Sequence, residues 1–266
     1  MTTPFFQADA FVTEEPFSGN PAGVCVLPGP KDEAWMQALA REINQAETAF
    51  LYPEGDGYRL RWFTPTLEVP LCGHATLASA HVLWSEGFLE KGKEARFFTK
   101  SGLLKATQKG GVIELDFPAK PAAPCEKPQG LEESLGTPIV GLGHNGTQYL
   151  AELSSASAVR AVKPDFKKME TCLDERLHGV IITAASDDPA YDFVSRFFAP
   201  LAGVTEDPVT GSAHCALGPF WKDKLGKGRF LAYQASARGG ILGVRCEGDR
   251  VHLGGQARTV VRGQLA

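Results

Sequence analysis

The sequence predicts an α+β protein of mixed, largely antiparallel sheets, arranged as two similar lobes facing each other across a pseudo-twofold axis, with a cleft between them. Three observations lead there. First, a short pattern occurs twice. Arg61-Trp62-Phe63-Thr64-Pro65 leads into Glu68-Val69-Pro70-Leu71-Cys72-Gly73-His74-Ala75, and Arg196-Phe197-Phe198-Ala199-Pro200 leads into Glu206-Asp207-Pro208-Val209-Thr210-Gly211-Ser212-Ala213. The Glu, Pro, Gly and Ala of the second part recur at an offset of 138 (206 against 68), and the Arg and Pro of the first at 135 (196 against 61), so one copy has gained three residues. Second, each copy places a Gly at the start of a helix, Gly73 and Gly211. Third, Pro118 to Pro128 holds four prolines, a connector between two halves.

The elements follow in order. Residues 5–12 and 24–27 are β-rich runs separated by Pro16-Phe17-Ser18-Gly19-Asn20-Pro21, whose Gly, Asn and Pro carry turn chemistry. From Lys31 to Gln45, Trp35, Met36, Leu39 and Ile43 follow helical spacing with Asp32 as N-cap, an amphipathic helix ending close to Glu47. Thr48 to Tyr52 and Tyr58 to Phe63 read as strands around the turn Gly55-Asp56-Gly57, which puts Glu47 at a helix-to-strand junction. Gly73 to Ser85 is a helix whose Ala75, Ala78 and Ala80 permit close burial, and strands follow at 95–98, 103–107 and 112–117. The second half repeats the plan. It has strands near Ile139 and at 148–153, a helix at 156–162, strands at 179–183 and 191–198, the second motif helix, and C-terminal strands to Val261. Residues 1–118 are expected to form the N-terminal lobe, with 256–266 as a candidate return to it, and 119–255 the C-terminal lobe.

A chain of 266 residues buries roughly three quarters of its unfolded surface and needs no staples. The net charge of −4 carries no electrostatic footprint for nucleic acid or an anionic membrane, so a small-molecule partner is expected. The N-terminus lacks a basic region followed by an apolar run, and no later stretch is apolar enough to span a membrane, which reads as cytoplasmic. Six cysteines without a C-x-x-C pair read as reduced thiols. The histidines (His74, His81, His144, His178, His214, His252) are dispersed. The adjacent pair His214-Cys215 diverges on a helix and lacks further ligands, so no metal is expected.

Both motif copies start a helix at a Gly, where open backbone N–H groups and a partial positive charge make an anion site suited to a carboxylate; the bland alternative is two packed helix starts. His74 and Asp207 break the repeat, since Ser212 and Val69 stand at their counterparts, as an asymmetric ligand would require; each could equally be a cap or turn residue. Cys72 and Thr210 are equivalent, so a racemase with two thiols is disfavoured, and Cys215 reads as a buried structural thiol. Gly141-Leu142-Gly143-His144-Asn145-Gly146 matches G-x-G-x-x-G but precedes a strand, and Gly211-Ser212-Ala213-His214 is not a nucleophile elbow, so nucleotide-binding and serine-hydrolase readings are weak.

At Asn44-Gln45-Ala46-Glu47-Thr48-Ala49-Phe50, Pro70-Leu71-Cys72-Gly73-His74-Ala75-Thr76, Glu206 to His214 and Ser18-Gly19-Asn20-Pro21-Ala22, the chain resembles the phenazine-biosynthesis PhzF-like family, over about Phe5 to Gly254. The resemblance implies a fold similar to diaminopimelate epimerases: two hotdog-like lobes, each a sheet wrapped on a central helix, without a cofactor. The best-understood members isomerise dihydro-hydroxyanthranilate by moving a proton. By resemblance Glu47 is the acid and base, His74 and Asp207 contact or orient the substrate, and the backbone at Gly73, Gly211 and Ser212 holds its carboxylate. Ala46 stands where the family usually has Ser. A carboxylate that takes and returns a proton near neutral pH works best with a raised pKa, which partial burial at this junction would supply.

The sequence thus points to a cofactor-independent isomerase or epimerase acting on a small carboxylate-bearing molecule, and to a homodimer. A silent binding or regulatory protein with the same cleft is the alternative, separated by whether Glu47 is needed for turnover.

Overall fold

One pattern of strand pairing is used twice. In the computed structural model, which describes residues 3–174, 176, 177 and 179–265, the chain forms two units. One takes the residues up to Asp116 and those from Gly254 onward, the other Phe117–Leu253. His178 lies outside the described residues.

In the first unit, β1 (Thr3–Ala10) is antiparallel to β2 (Asn20–Val26), and after α1 (Glu33–Ile43) the chain returns as β3 (Glu47–Glu54), parallel to β2. β3 turns back into β4 (Gly57–Phe63), which pairs with the two-residue β5 (Glu68–Val69). The buried helix α2 (Gly73–Ser85) then leads to β6 (Ala95–Thr99), parallel to β4, and to the meander of β7 (Gly102–Lys109) and β8 (Val112–Pro118).

The second unit begins with β9 (Ala123–Pro124) and α3 (Leu131–Leu135), and β9 pairs with β10 (Gly141–His144). From there the first unit's plan recurs. β10 is antiparallel to β11 (Gln148–Glu152), two short helices α4 (Ala156–Ala161) and α5 (Phe166–Glu170) stand where α1 stood, and β12 (Gly179–Ala185) returns parallel to β11. β13 (Phe193–Phe198) is antiparallel to β12, and the helix α6 (Gly211–Leu225) leads to β14 (Arg229–Gln234), parallel to β13. β15 (Gly240–Glu247) and β16 (Arg250–Gly255) complete it, and the last strand, β17 (Ala257–Leu265), is antiparallel to β1 with a bulge at Gln7/Ala8.

The repeated residues make the same contacts twice. Arg61 grips Glu68 through Nε and Nη2, both at 2.7 Å, and Arg196 grips Glu206 through Nε at 2.7 Å and Nη2 at 3.0 Å. Each guanidinium also lies over a ring two residues on, Phe63 at 5.1 Å and Phe198 at 5.0 Å. A bidentate, ring-stacked arginine pins the chain between strand and motif helix, which accounts for the recurrence of Arg and Glu rather than of charge alone. The three residues gained by the second copy fall within 201–205, in the segment that the 3₁₀ turn Pro200–Ala202 opens.

Each motif helix is apolar on most sides and is buried on its own sheet, α2 on β1 to β3 and β17, α6 on β11 and β15. The amphipathic α1 covers the other face of the first sheet, with Met36 and Ala40 against Cys25, Leu27, Phe50 and Phe63. In the second unit, Leu131, Val159 and Met169 from the short helices pack on Val180, Ile182, Val194 and Phe198. Inside α6, Pro219 cannot donate to the carbonyl of Cys215, and the N–H of Lys120 takes that place at 2.9 Å.

The α+β class and the mixed sheets agree with expectation, with differences in detail. Asp32 holds the N-cap position of α1 without a side-chain capping bond. The strand expected near Ile139 starts at Gly141, and the last strand runs to Leu265 rather than Val261. α3 and α5 were not anticipated, because five residues make little more than one turn, too few to leave a period in the sequence. No helix among the described residues is long and apolar enough to cross a membrane.

Candidate active site

Glu47 is positioned by how α1 ends. Asn44 takes the left-handed conformation (φ 54°), tolerated by its short polar side chain, and its N–H closes the helix on the carbonyl of Ala40. The chain then turns, and Glu47 becomes the first residue of β3, paired with Ala22 of β2. His74 is fixed from the other side, as the second residue of α2 behind Cys72 at its N-cap.

Asn20 opens β2 and is placed by Gly19, whose φ is 77° and where a Cβ would come within 2.4 Å of the carbonyl of Ala10. Glycine alone fits there. The fully buried Asn20 amide nitrogen donates to Nδ1 of His74 at 3.1 Å. The neutral ring therefore carries its proton on Nε2, which lies 3.3 Å from Oε2 of Glu47. That distance is within reach but the angle is poor, and Nε2 meets no well-aligned hydrogen-bond partner among the described residues. Burial pushes the imidazole pKa down to about 3, so His74 is neutral at physiological pH.

Sγ of Cys72 lies 3.6 Å from Nδ1 of His74. Glu47, Cys72 and His74 each bring one donor atom into a group spanning 4.8 Å, the one such cluster of three found among the described residues. The adjacent His214-Cys215 forms none. The His214 ring donates from Nδ1 to the carbonyl of Thr210 at 2.8 Å and stacks on Phe193, and burial lifts the Cys215 thiol to about 12.

In the second unit, α6 starts at Gly211 behind Thr210, as α2 does behind Cys72. Asp207 accepts from the Thr210 hydroxyl at 2.5 Å. Gln234, fully buried on β14, accepts from the Thr210 N–H at 2.9 Å and donates to the carbonyl of Asp207 at 2.8 Å, clamping the loop. Ser212 is exposed, and its hydroxyl accepts from Gln148 at 3.1 Å.

Of the residues singled out in the sequence, Glu47, Gly73 and His74 thus cluster in the first unit, and Asp207, Gly211 and Ser212 in the second. Asn20, Gln148 and Gln234 were not anticipated as site residues. Asn20 had a signal, since it lies in the Ser18-Gly19-Asn20-Pro21-Ala22 match; the two glutamines had none, being single polar residues at strand positions.

Known proteins support a family assignment. The phenazine biosynthesis-like (PhzC-PhzF) family profile matches residues 8–263. An uncharacterized isomerase of Halalkalibacterium halodurans is 52% identical over 266 residues, covering 100% of this chain and 99% of that protein. The crystal structure of a PhzF-family phenazine biosynthesis protein from Enterococcus faecalis is 41% identical, with a TM-score of 0.94 and 100% of both chains covered. A predicted epimerase of Pseudomonas aeruginosa follows at 25% identity and a TM-score of 0.73, with 98% of both chains covered. With a profile match over nearly its whole length and full-length relatives well above 30% identity, this chain belongs to the PhzC-PhzF phenazine biosynthesis-like family.

Proposed function

We propose that this isomerase relocates a proton within a small carboxylate-bearing metabolite, with Glu47 as the single group that removes and returns it. The observation that carries the proposal is the Glu47–His74 pair, a carboxylate 3.3 Å from a buried imidazole whose far nitrogen is held by Asn20. A neutral imidazole beside the carboxylate adds no positive charge that would hold its proton affinity down. Glu47 takes the proton from one carbon, the electron pair delocalises toward the conjugated carboxylate, and the same oxygen delivers the proton to a second carbon.

One base favours an intramolecular shift over epimerisation, which needs a donor on each face of the carbon. The positions in the second unit that match Glu47 and Cys72 are Gly179 and Thr210, neither an acid nor a base. The helix starts at Gly73 and Gly211, with Ser212 and Asp207, are assigned to the substrate carboxylate and its polar groups, since open first-turn N–H groups attract anions. A homodimer and independence of any cofactor belong to the same proposal.

The test is solvent deuterium incorporation, followed by NMR in heavy water, over a panel of small amino and hydroxy acids that includes dihydro-hydroxyanthranilate. Exchange by the wild type that is lost in Glu47→Gln supports the reading. Binding without exchange by any compound would instead favour a silent binding protein.

A further inference from the structure

We propose that Glu47, Cys72 and His74 form a capture site for a thiophilic divalent cation of the zinc type, and that filling it switches the isomerase off. The donor set is one thiolate, one imidazole and one carboxylate, the mixture that zinc accepts and that the oxygen-seeking magnesium and calcium do not. Bonds of about 2.0–2.3 Å in a tetrahedral zinc site set neighbouring donors roughly 3.3–3.6 Å apart. Here Oε2 of Glu47 is already 3.3 Å from Nε2 of His74, whereas Sγ of Cys72 lies 3.6 Å from Nδ1, on the Asn20 side of the ring, and has to swing toward Nε2. With the cluster spanning 4.8 Å, bringing the three donors onto one ion takes side-chain rotations that close about an ångström.

Two features point to a ligand beyond the clustering itself. His74 is 5% exposed, and its Nε2 faces the Glu47 carboxylate without a well-aligned hydrogen bond, a geometry that leaves this buried nitrogen underused. Asn20 also sits behind the ring on Nδ1, and with its amide turned so that the oxygen accepts from Nδ1–H it would supply the outer-shell contact that orients a ligating histidine. Cys72 and His74 come from one helix start, so two of the three donors are held together by the backbone of α2.

Binding is a proton-releasing step without redox change: the Cys72 thiol gives its proton to solvent as the metal–sulfur bond forms, the His74 ring proton moves from Nε2 to Nδ1 while the Asn20 amide turns its oxygen to accept it, and imidazole and carboxylate then add as neutral and anionic donors. The fourth position is left to water. A ligated Glu47 cannot carry a proton, so the switch, though not the metal site, rests on the proposed function.

The experiment titrates chelator-stripped, reduced protein with Co²⁺, read by the thiolate-to-cobalt charge-transfer band, and with Zn²⁺ in competition with a chromophoric chelator. Wild type is expected to bind one equivalent and show the band. Cys72→Ser, close in size and so suited to folding, should lose the band and bind zinc at least tenfold more weakly, while Cys172→Ser should behave as wild type. A wild type without the band, or a band that survives in Cys72→Ser, overturns the site. In the heavy-water assay, zinc should stop exchange by wild type and a chelator restore it; exchange undiminished in zinc-loaded protein overturns the switch. If Glu47→Gln still exchanges, the functional reading fails on its own, and the cobalt band still decides the site.

Discussion

Glu47 and Gly179 hold the same position in the two units. Thr48 pairs with Phe63 and Val180 with Phe198, and Phe63 and Phe198 are the same residue of the repeated pattern, so the residue before each is Glu47 in β3 and Gly179 in β12. A Cβ at Gly179 would meet the Phe197 ring at 2.5 Å, so a side chain there would have to push that ring aside. The duplicated framework therefore carries a carboxylate in one unit and a ring in the other. That difference is what makes a single proton carrier the natural reading.

Glu47→Gln keeps the shape of the side chain and removes its ability to accept a proton. Loss of a positioned general base lowers turnover by about 10²–10⁴-fold. The side chain is 18% exposed, so the denaturant midpoint should stay near the wild-type value. Exchange rate and urea melt together check this, and a rate within tenfold of wild type counts against Glu47.

Asn20→Ala removes the donor to Nδ1 of the buried His74. Leaving that nitrogen unsatisfied should cost about 1–3 kcal/mol of stability. The ring should also lose its single tautomer. Denaturant titration reads the first effect and ¹⁵N imidazole shifts the second; an unchanged tautomer would show that Asn20 does not hold the ring.

Stability should fall on mild acidification. Burial lowers His74 to about 3 and His214 to about 4, both below an ordinary histidine near 6.5, so between those limits the unfolded chain binds protons that the folded chain does not. Two such groups make stability decline by a few kcal/mol in all as pH drops from roughly 6 to roughly 4. The measurement is urea denaturation at stepped pH, with ring NMR showing both imidazoles still neutral at pH 5.

The paired arginines should be intolerant of lysine. Arg61→Lys and Arg196→Lys each replace a two-pronged, ring-stacked guanidinium by a point charge, at about 1–3 kcal/mol, less than the cost of breaking a fully buried pair because both sites are partly exposed. The hydrogen bond from Arg61 holds the Glu68 carboxyl below the ordinary 4.5. Since the folded value is the lower one, that stabilisation is complete above about 4.5 and is lost as pH falls through the depressed value. In Arg61→Lys this acid-side loss should shrink, which melts at stepped pH between roughly 5 and 3 will read.

Local chemistry made much of this readable in the sequence alone. The helix Gly73–Ser85 has the bounds its composition implies, the turn at Gly55-Asp56 joins the expected strands, and Glu47 stands where the helical pattern stops and the β-rich run begins. These follow from propensity, capping and periodicity, which act over a few neighbouring residues. The recurrence of Arg61 and Glu68 as Arg196 and Glu206 also announced the two-unit plan, because a duplicated ion pair leaves a duplicated pattern.

Only the tertiary structure decided which residues meet. Asn20 reaches His74 across 54 residues because β2 and the start of α2 converge, and Glu47 joins them because β3 pairs in parallel with β2 at Ala22. Gln234 clamps Thr210 and Asp207 because β14 returns parallel to β13. A parallel pairing closes through a long crossover, and its register is set by how whole sheets pack rather than by any short stretch of chain. The sequence determined the parts, Glu47 at its junction among them; the packing of sheet and helix determined the company Glu47 keeps.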